Sequence, residues 1–461
     1  MKKTFWSVLF IALSVTFVFA SYTPDELVQS MKENAPKIKI EEANLRQSKA
    51  DKQKAMGDFF PKIDYSLSGA YIANPIDKIR VSSEDLLSLL TWPEGVPAPG
   101  TTSDYVEIYK GMEHTQYSFG LSLTWPILTW GKLIKQHSIY SSLVTIQENN
   151  LLLEQKKSEA EIRSRYEANA YLNKLIDVLE QTKAESKELY SLVTSTTDEG
   201  MSVESDKLEA EVALKAAEYA HINALSQKDA QIDSLALLTG IYTLCDEDLG
   251  DVVLSKDEYK KILDENDELG MVASAIRSDR EAIQMLNEAI SISDDREYIS
   301  LASMPYAPDV SILASLSYGG SRFPFIEKGW SSADDWNAFV GVNIKGTFFD
   351  GTKQYAEEKK TKAGQEKARF EKEKTVRELI NTVKDTRRSL NVSLSSIDYK
   401  ETELRQKKEL KRIATEKYEA RQITRIEYLK ASLEEHVKQA EVYKEYITSS
   451  TLYYTLRMLT Q

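Results

Sequence analysis

The sequence predicts a mainly α-helical chain carrying membrane β-strands, built as a duplicated strand-pair and long-helix protomer. Three observations predict it. Four segments alternate apolar and polar residues at period two. Each pair of these segments runs into a helical tract too long for a globular domain. Landmarks of the first half also recur in the second at a nearly constant offset.

The N-terminus sets the destination. Lys2 and Lys3 precede an apolar run from Phe5 to Ala20, and Val18-Phe19-Ala20 fits the pattern before a signal-peptidase cut. Residues 1–20 are expected to be a signal peptide, with the mature chain starting at Ser21, which is not a lipid-accepting cysteine. The run is too short for a helix that stays in the membrane, which needs ~20 residues. The chain has one cysteine, Cys245, so no intramolecular disulfide holds it. Net charge is −13, and loss of Lys2 and Lys3 gives −13 − 2 = −15. That acidity argues against a nucleic-acid partner, whose phosphates require a basic face. After residue 20 no stretch of 18 apolar residues occurs, so any membrane entry is not by helices.

A first helical stretch is expected from about Pro24 to Met56. The first strand, about residues 61–72, places Ile63, Tyr65, Leu67 and Tyr71 opposite Lys62, Asp64, Ser66 and Ser68. A long loop follows over residues 73 to 116, with Pro93, Gly95, Pro97, Pro99 and Gly100. The second strand, about 117–126, sets Tyr117, Phe119, Leu121, Leu123 and Trp125 against Ser118, Gly120, Ser122 and Thr124. A long helix then runs from about Leu133 to Asp198 and a shorter one to about Gly240, separated by "TDEGMSVES". A helix of ~66 residues at ~1.5 Å per residue is ~100 Å long.

The first repeat thus occupies residues 21–245. Residues 246–268 read as a linker with short helices, and the second repeat covers 269–461, opening with a helix over about Leu269 to Ser291. Its strands, about 308–318 and 336–348, carry Val310, Ile312, Ala314, Leu316 and Tyr318, then Trp336, Ala338, Val340, Val342 and Ile344. Leu313 and Phe339 break the alternation. Long helices follow to about Tyr418 and to residue 461 around "YEARQITRI". Trp130-Gly131-Lys132 corresponds to Asp350-Gly351-Thr352 at 351 − 131 = 220. Lys187-Glu188-Leu189 recurs as Lys408-Glu409-Leu410 at 408 − 187 = 221, which marks an internal duplication.

A strand with one apolar, aromatic-rich face and one face of Ser, Gly, Thr and Asn suits either a soluble sandwich or a transmembrane barrel. The signal peptide and the wet character of the polar faces favour the barrel, with Tyr65, Tyr71, Tyr117, Trp125, Tyr318 and Trp336 as membrane-interface aromatics. Four strands cannot close a barrel, and in lipid every backbone polar group must be paired. Several chains must therefore contribute, in a number the sequence does not choose.

These residues carry a resemblance. The duplicated strand pair, the junctions "LTWPILTWGK" and "IKGTFFDGTK", and the turn "EGMSVESDKLEA" resemble the TolC-like outer-membrane efflux family over nearly the whole mature chain. The resemblance implies a homotrimer in the outer membrane, with a β-barrel of twelve strands continuing into a periplasmic α-helical tunnel. It implies docking to an inner-membrane pump through a periplasmic adaptor, in drug, metal-ion or type I polypeptide export. The helical turns would form the periplasmic aperture. Gly200 and Asp206 meet the family's turn pattern, Glu427 repeats the acid at 427 − 206 = 221, and Tyr418 matches the aromatic before the turn. Arg421 stands where glycine is usual, and Ile423 and Lys430 stand where a closed tunnel has basic and acidic partners.

No enzyme chemistry is legible. His114, His137, His221 and His436 are scattered without metal-ligand spacing, and no phosphate loop or nucleophile elbow occurs, so no cofactor, metal or catalytic residue is expected. A periplasmic adaptor shares the signal and a helical hairpin but not two strand pairs. A structural envelope coiled coil has no use for the strands.

Overall fold

The computed structural model describes residues 22–82, 85, 105–109, 111–201, 203–251, 254–265, 267–304, 306–323, 325–329 and 336–461. The expected signal peptide and the Pro93–Gly100 loop lie outside the described residues. The chain divides into two compact units, and each draws on both sequence repeats. One takes in residues up to Lys49, Ser142–Ser291 and Glu366–Gln461; the other takes in Ala50–Ser141 and Ile292–Gln365.

The first unit is helical. Helix α1 (Pro24–Asn34) starts at a capping box in which Thr23 and Glu26 satisfy each other's backbone N–H groups. The single helix expected to Met56 is in fact two. Ala35 is extended because the ring of Pro36 crowds a helical residue before it, and α2 (Pro36–Gly57) restarts at that proline. The long helices are α3 (Lys132–Asp198), α4 (Glu204–Thr239), α8 (Lys353–Glu419) and α9 (Arg425–Thr460). Between them lie α5 (Lys256–Glu265), α6 (Glu268–Ala275) and α7 (Glu281–Leu301), so the helix expected over Leu269–Ser291 is also interrupted. Leu27, Met31 and Ile38 pack with Ile162, Tyr166 and Leu235 in one core cluster. Tyr259, Ile262 and Met271 pack with Leu390, Leu394 and Leu456 in another. The linker is pinned through Asp246, which accepts from Asn169 (2.9 Å), Asn173 (3.2 Å) and Lys228 (2.9 Å).

From the strand–helix junction onward the two repeats keep one register. The matching helix ends give 353 − 132 = 419 − 198 = 425 − 204 = 460 − 239 = 221. The backbone corrects the junction offset of 220. Two consecutive residues turn left-handed in each repeat, Trp130 (φ 51°) with Gly131 (φ 79°) and Gly351 (φ 71°) with Thr352 (φ 71°). Gly131 therefore corresponds to Thr352, not to Gly351.

The second unit holds a four-stranded antiparallel sheet of β1 (Lys62–Tyr71), β4 (Thr115–Leu128), β5 (Asp309–Gly320) and β6 (Trp336–Lys345), in the order β1-β4-β5-β6. The segment expected to be loop carries a separate two-stranded ribbon, β2 (Ile79–Ser82) and β3 (Tyr105–Tyr109). Register sets each face. Leu67, Phe119, Tyr318 and Trp336 form one apolar row, and Tyr65, Leu121, Leu316 and Ala338 the next. Ser66, Gly120, Ser317 and Asn337 form a row of the other face, where Ser68 and Ser118 join hydroxyls at 2.7 Å. The two offenders in the alternation explain each other. Leu313 lies opposite Gly341, and a Cβ on Gly341 would lie 2.5 Å from the Phe339 ring. The missing side chain lets that ring lie across the polar face beside Leu313.

Candidate functional site: paired helical turns and an aromatic belt

The turns repeat one backbone solution. After α3, the Gly200 N–H donates to Thr197 O (2.9 Å) and the Met201 N–H to Thr196 O (2.9 Å). After α8, the Arg421 N–H donates to Tyr418 O (2.9 Å) and the Gln422 N–H to Lys417 O (2.8 Å). These are the paired bonds of a Schellman ending, which needs a left-handed residue. Gly200 supplies it at φ 78°, and Arg421, at 421 − 200 = 221, supplies it at φ 51°.

The helices that follow are capped differently. Thr424 and Glu427 form a capping box: the Thr424 N–H donates to Glu427 Oε2 (2.8 Å) and the Glu427 N–H to Thr424 Oγ1 (3.2 Å). Those bonds, the backbone one first, hold the Glu427 carboxyl below the usual carboxylate range. Helix α4 begins at Val203 with no side-chain cap, and Asp206 occupies the equivalent third position. The two acids matched by sequence thus stand in unlike local settings.

The repeats brace each other at the turns. Arg425 reaches from α9 to Glu188 on α3 with two bonds of 2.7 and 2.9 Å, and the first effect of that pairing is to lower the Glu188 pKa. The Arg425 guanidinium also lies over the rings of Tyr428 (4.9 Å) and Tyr418 (5.6 Å), which stack at 5.4 Å. Arg425 is thus engaged within its own chain. Beneath it Leu189, Val193, Ala210 and Leu429 are buried together. A cavity of about 280 Å³ opens there, floored by Leu189, Ala213 and Ile426 and rimmed by Asp206, Glu209, Lys430 and Glu434. Further along α9, His436 is buried with its Nε2 3.4 Å from Glu185, while Lys411 pairs with Glu435 at 3.0 Å. Ile423 is half-buried and Lys430 exposed.

In the second unit the predicted aromatics fall on the apolar face at different heights. Tyr117 faces Gly69 and meets Phe323 edge-on at 5.0 Å; Tyr318 is buried, packs on Trp336 at 5.1 Å and donates its hydroxyl to Arg322 O at 2.9 Å. Tyr71 stacks on His114 at the same end of β1, and Trp125 marks the other end, its indole N–H donating to Phe59 O at 3.1 Å. Tyr65, opposite Leu121, lies midway. Eight residues separate Tyr117 from Trp125, ~26 Å at ~3.3 Å each, which matches the ~25 Å apolar band of an outer-membrane barrel. Sequence reasoning missed Phe60, Phe348 and Phe349, which sit in linkers just outside β1 and β6 and are exposed. Their only sequence signal is two Phe-Phe pairs, Phe59-Phe60 and Phe348-Phe349.

Residues 27–241 match the family model described as outer membrane efflux protein. That stretch is the first repeat, and it is there that the chain is similar to the outer membrane efflux protein family. No curated protein sequence matches it. Its fold is that of solved channels at low identity. Against the Campylobacter jejuni CmeC outer membrane channel, 95% of this chain and 85% of that one superpose with TM-score 0.69 at 14% identity. The outer membrane protein VceC of Vibrio cholerae gives 0.68 at 14%, covering 95% of this chain and 96% of that one. The open-state Neisseria gonorrhoeae MtrE outer membrane channel gives 0.67 at 12%, covering 95% and 88%. Among the described residues no helix is long and apolar enough to cross a membrane, and no side-chain group is arranged to hold a metal.

Proposed function

We propose that three copies of this chain close one twelve-stranded barrel in the outer membrane and continue as a periplasmic duct, the passive exit of a tripartite efflux or type I secretion system. The observation that carries it is the sheet. It has one exposed apolar face and one face of Ser, Gly and Asn, and among the described residues β1 and β6 each have a neighbour on one side only. In lipid those edges must be paired, and antiparallel barrels begin at eight strands, so one copy is too few. The number three comes from the family resemblance. The turns bearing Gly200, Asp206, Tyr418, Arg421, Glu427 and Lys430 then form the aperture that meets a periplasmic adaptor, while an inner-membrane pump supplies the energy. The chain performs no catalytic step. Mass measurement in detergent should return a trimer, and insertion into a planar bilayer should give discrete conductance. A monomer with intact strand content would end this reading.

A further inference from the structure

The two Phe-Phe pairs border the two edge strands of the sheet. Phe59-Phe60 precedes β1, and Phe348-Phe349 follows β6. Phe60 is 62% exposed, Phe348 95% and Phe349 78%, so most of each ring's surface is left uncovered by its own chain. The comparable aromatic of the inner strands is held. Trp130, just past β4, donates its indole N–H to Pro308 O (2.8 Å) beside β5, and the Tyr298 hydroxyl donates to Trp130 O (3.3 Å). Phe325 (81%) and Phe370 (60%) are exposed elsewhere, but Phe60, Phe348 and Phe349 are the exposed phenyl rings that border the two edge strands.

Topology decides which rings can meet. Each neighbouring pair of strands is antiparallel, so β6 runs opposite to β1. When β6 of one copy pairs with β1 of the next, the end where β6 stops at Lys345 is the end where β1 starts at Lys62. Both Phe-Phe pairs then lie at that one end of the seam. Within one copy three strand spacings, on the order of 14 Å, keep them apart.

We propose that Phe348 and Phe349 of one copy pack against Phe60 of the next, forming an aromatic clasp at the periplasmic end of each intersubunit seam. The occupant of these exposed rings is a second copy of the chain. Covering the β edges brings the next copy's ring to the same place, and burying aromatic pairs adds to pairing of the strands. The clasp rests on the multi-copy barrel proposed above.

The test uses two full-length chains with different tags, co-expressed in a Cys245→Ser background. One carries Phe60→Cys and the other Phe348→Cys, and the outer-membrane fraction is treated with a short bis-methanethiosulfonate. A cross-linked dimer containing both tags is the expected product. Tyr65→Cys, paired in turn with Cys at Ala338, Val340 and Val342, reports the β1–β6 seam itself. If a seam pair cross-links and the Phe60/Phe348 pair does not, the clasp is wrong and the rings face lipid. If neither cross-links, the multi-copy barrel falls and the clasp with it. A second readout is heat-resistant oligomer on unboiled gels. Phe60→Ala and Phe348→Ala should each lower its melting midpoint, and the double variant should lower it no further than the larger single loss. Additive losses indicate independent lipid anchors and overturn the clasp.

Discussion

Gly200 and Arg421 face one conformational demand with unequal means. A left-handed residue carrying a Cβ costs roughly 1–2 kcal/mol, a penalty that glycine avoids. Arg421→Gly should therefore raise stability by about 1 kcal/mol. Gly200→Ala, at φ 78° with open space around it, should lower stability through strain alone. Denaturant titration followed by far-UV circular dichroism checks both. Glu427 needs a finer tool, because Glu427→Ala would remove cap and charge together. Thr424→Ala should cost about 1 kcal/mol by opening the capping box. Glu427→Gln keeps an acceptor for the Thr424 N–H and removes only the charge. If Glu427 lines the aperture, the Gln variant should weaken block by divalent cations in a planar bilayer while unfolding like the parent. Parent-like block would assign Glu427 to capping alone.

At the scale of elements, α3 carries a buried carboxyl against the α5 segment. Glu167 Oε1 accepts from the Leu254 N–H (2.9 Å) and from the Tyr259 hydroxyl, while Oε2 has no hydrogen bond. Burial raises its pKa above the ordinary value of ~4.3. The folded chain therefore keeps a proton that the unfolded chain has lost. The contribution is fully present below pH ~4.3 and is lost as pH rises through the folded value. Glu167→Gln places an amide where the unsatisfied oxygen sits, keeps the acceptor for Tyr259 and removes the titration. It should be more stable than the parent at pH 7, with the difference closing toward pH 4; denaturation midpoints across that range decide. The paired turns behave oppositely. The Glu188 pKa is lowered by Arg425, so that bond contributes above the unfolded carboxylate value and weakens in acid. Being largely solvated, the pair contributes ~1 kcal/mol or less.

For the whole molecule the governing quantity is charge. The chain's net charge of −13, and a turn cavity rimmed by Asp206, Glu209 and Glu434 against Lys430, give the proposed duct a negative field. The assembled channel should prefer cations, and reversal potentials across a salt gradient measure it. Anion preference would show that the lumen departs from the chain's net charge. Hydrophobicity acts at the same scale. Tyr65, Val340 and Val342 are exposed on the sheet, and in the proposed barrel a bilayer, not a protein core, is their solvent.

The sequence by itself determined the strand pairs, the long helices and the duplication. Those features are periodic, and periodicity is a property of neighbouring residues on one element: Ile63, Tyr65 and Leu67 share a face whatever else the chain does. The helical breaks at Pro36 and at the Gly200 turn are local in the same sense, each set by a proline or glycine at the break itself. Tertiary structure alone decided the rest. Arg425 and Glu188 are 237 positions apart, and nothing along the chain announces that α9 lies against α3 there. Leu313 and Phe339 break their pattern until register places Gly341 between them. Phe60 and Phe348 belong to no periodic element, so their place beside the edges of a sheet emerged only once the strand order was known. Local pattern fixes which face a residue takes. Which residues then meet across elements depends on register and packing between distant segments, which a one-dimensional period does not carry.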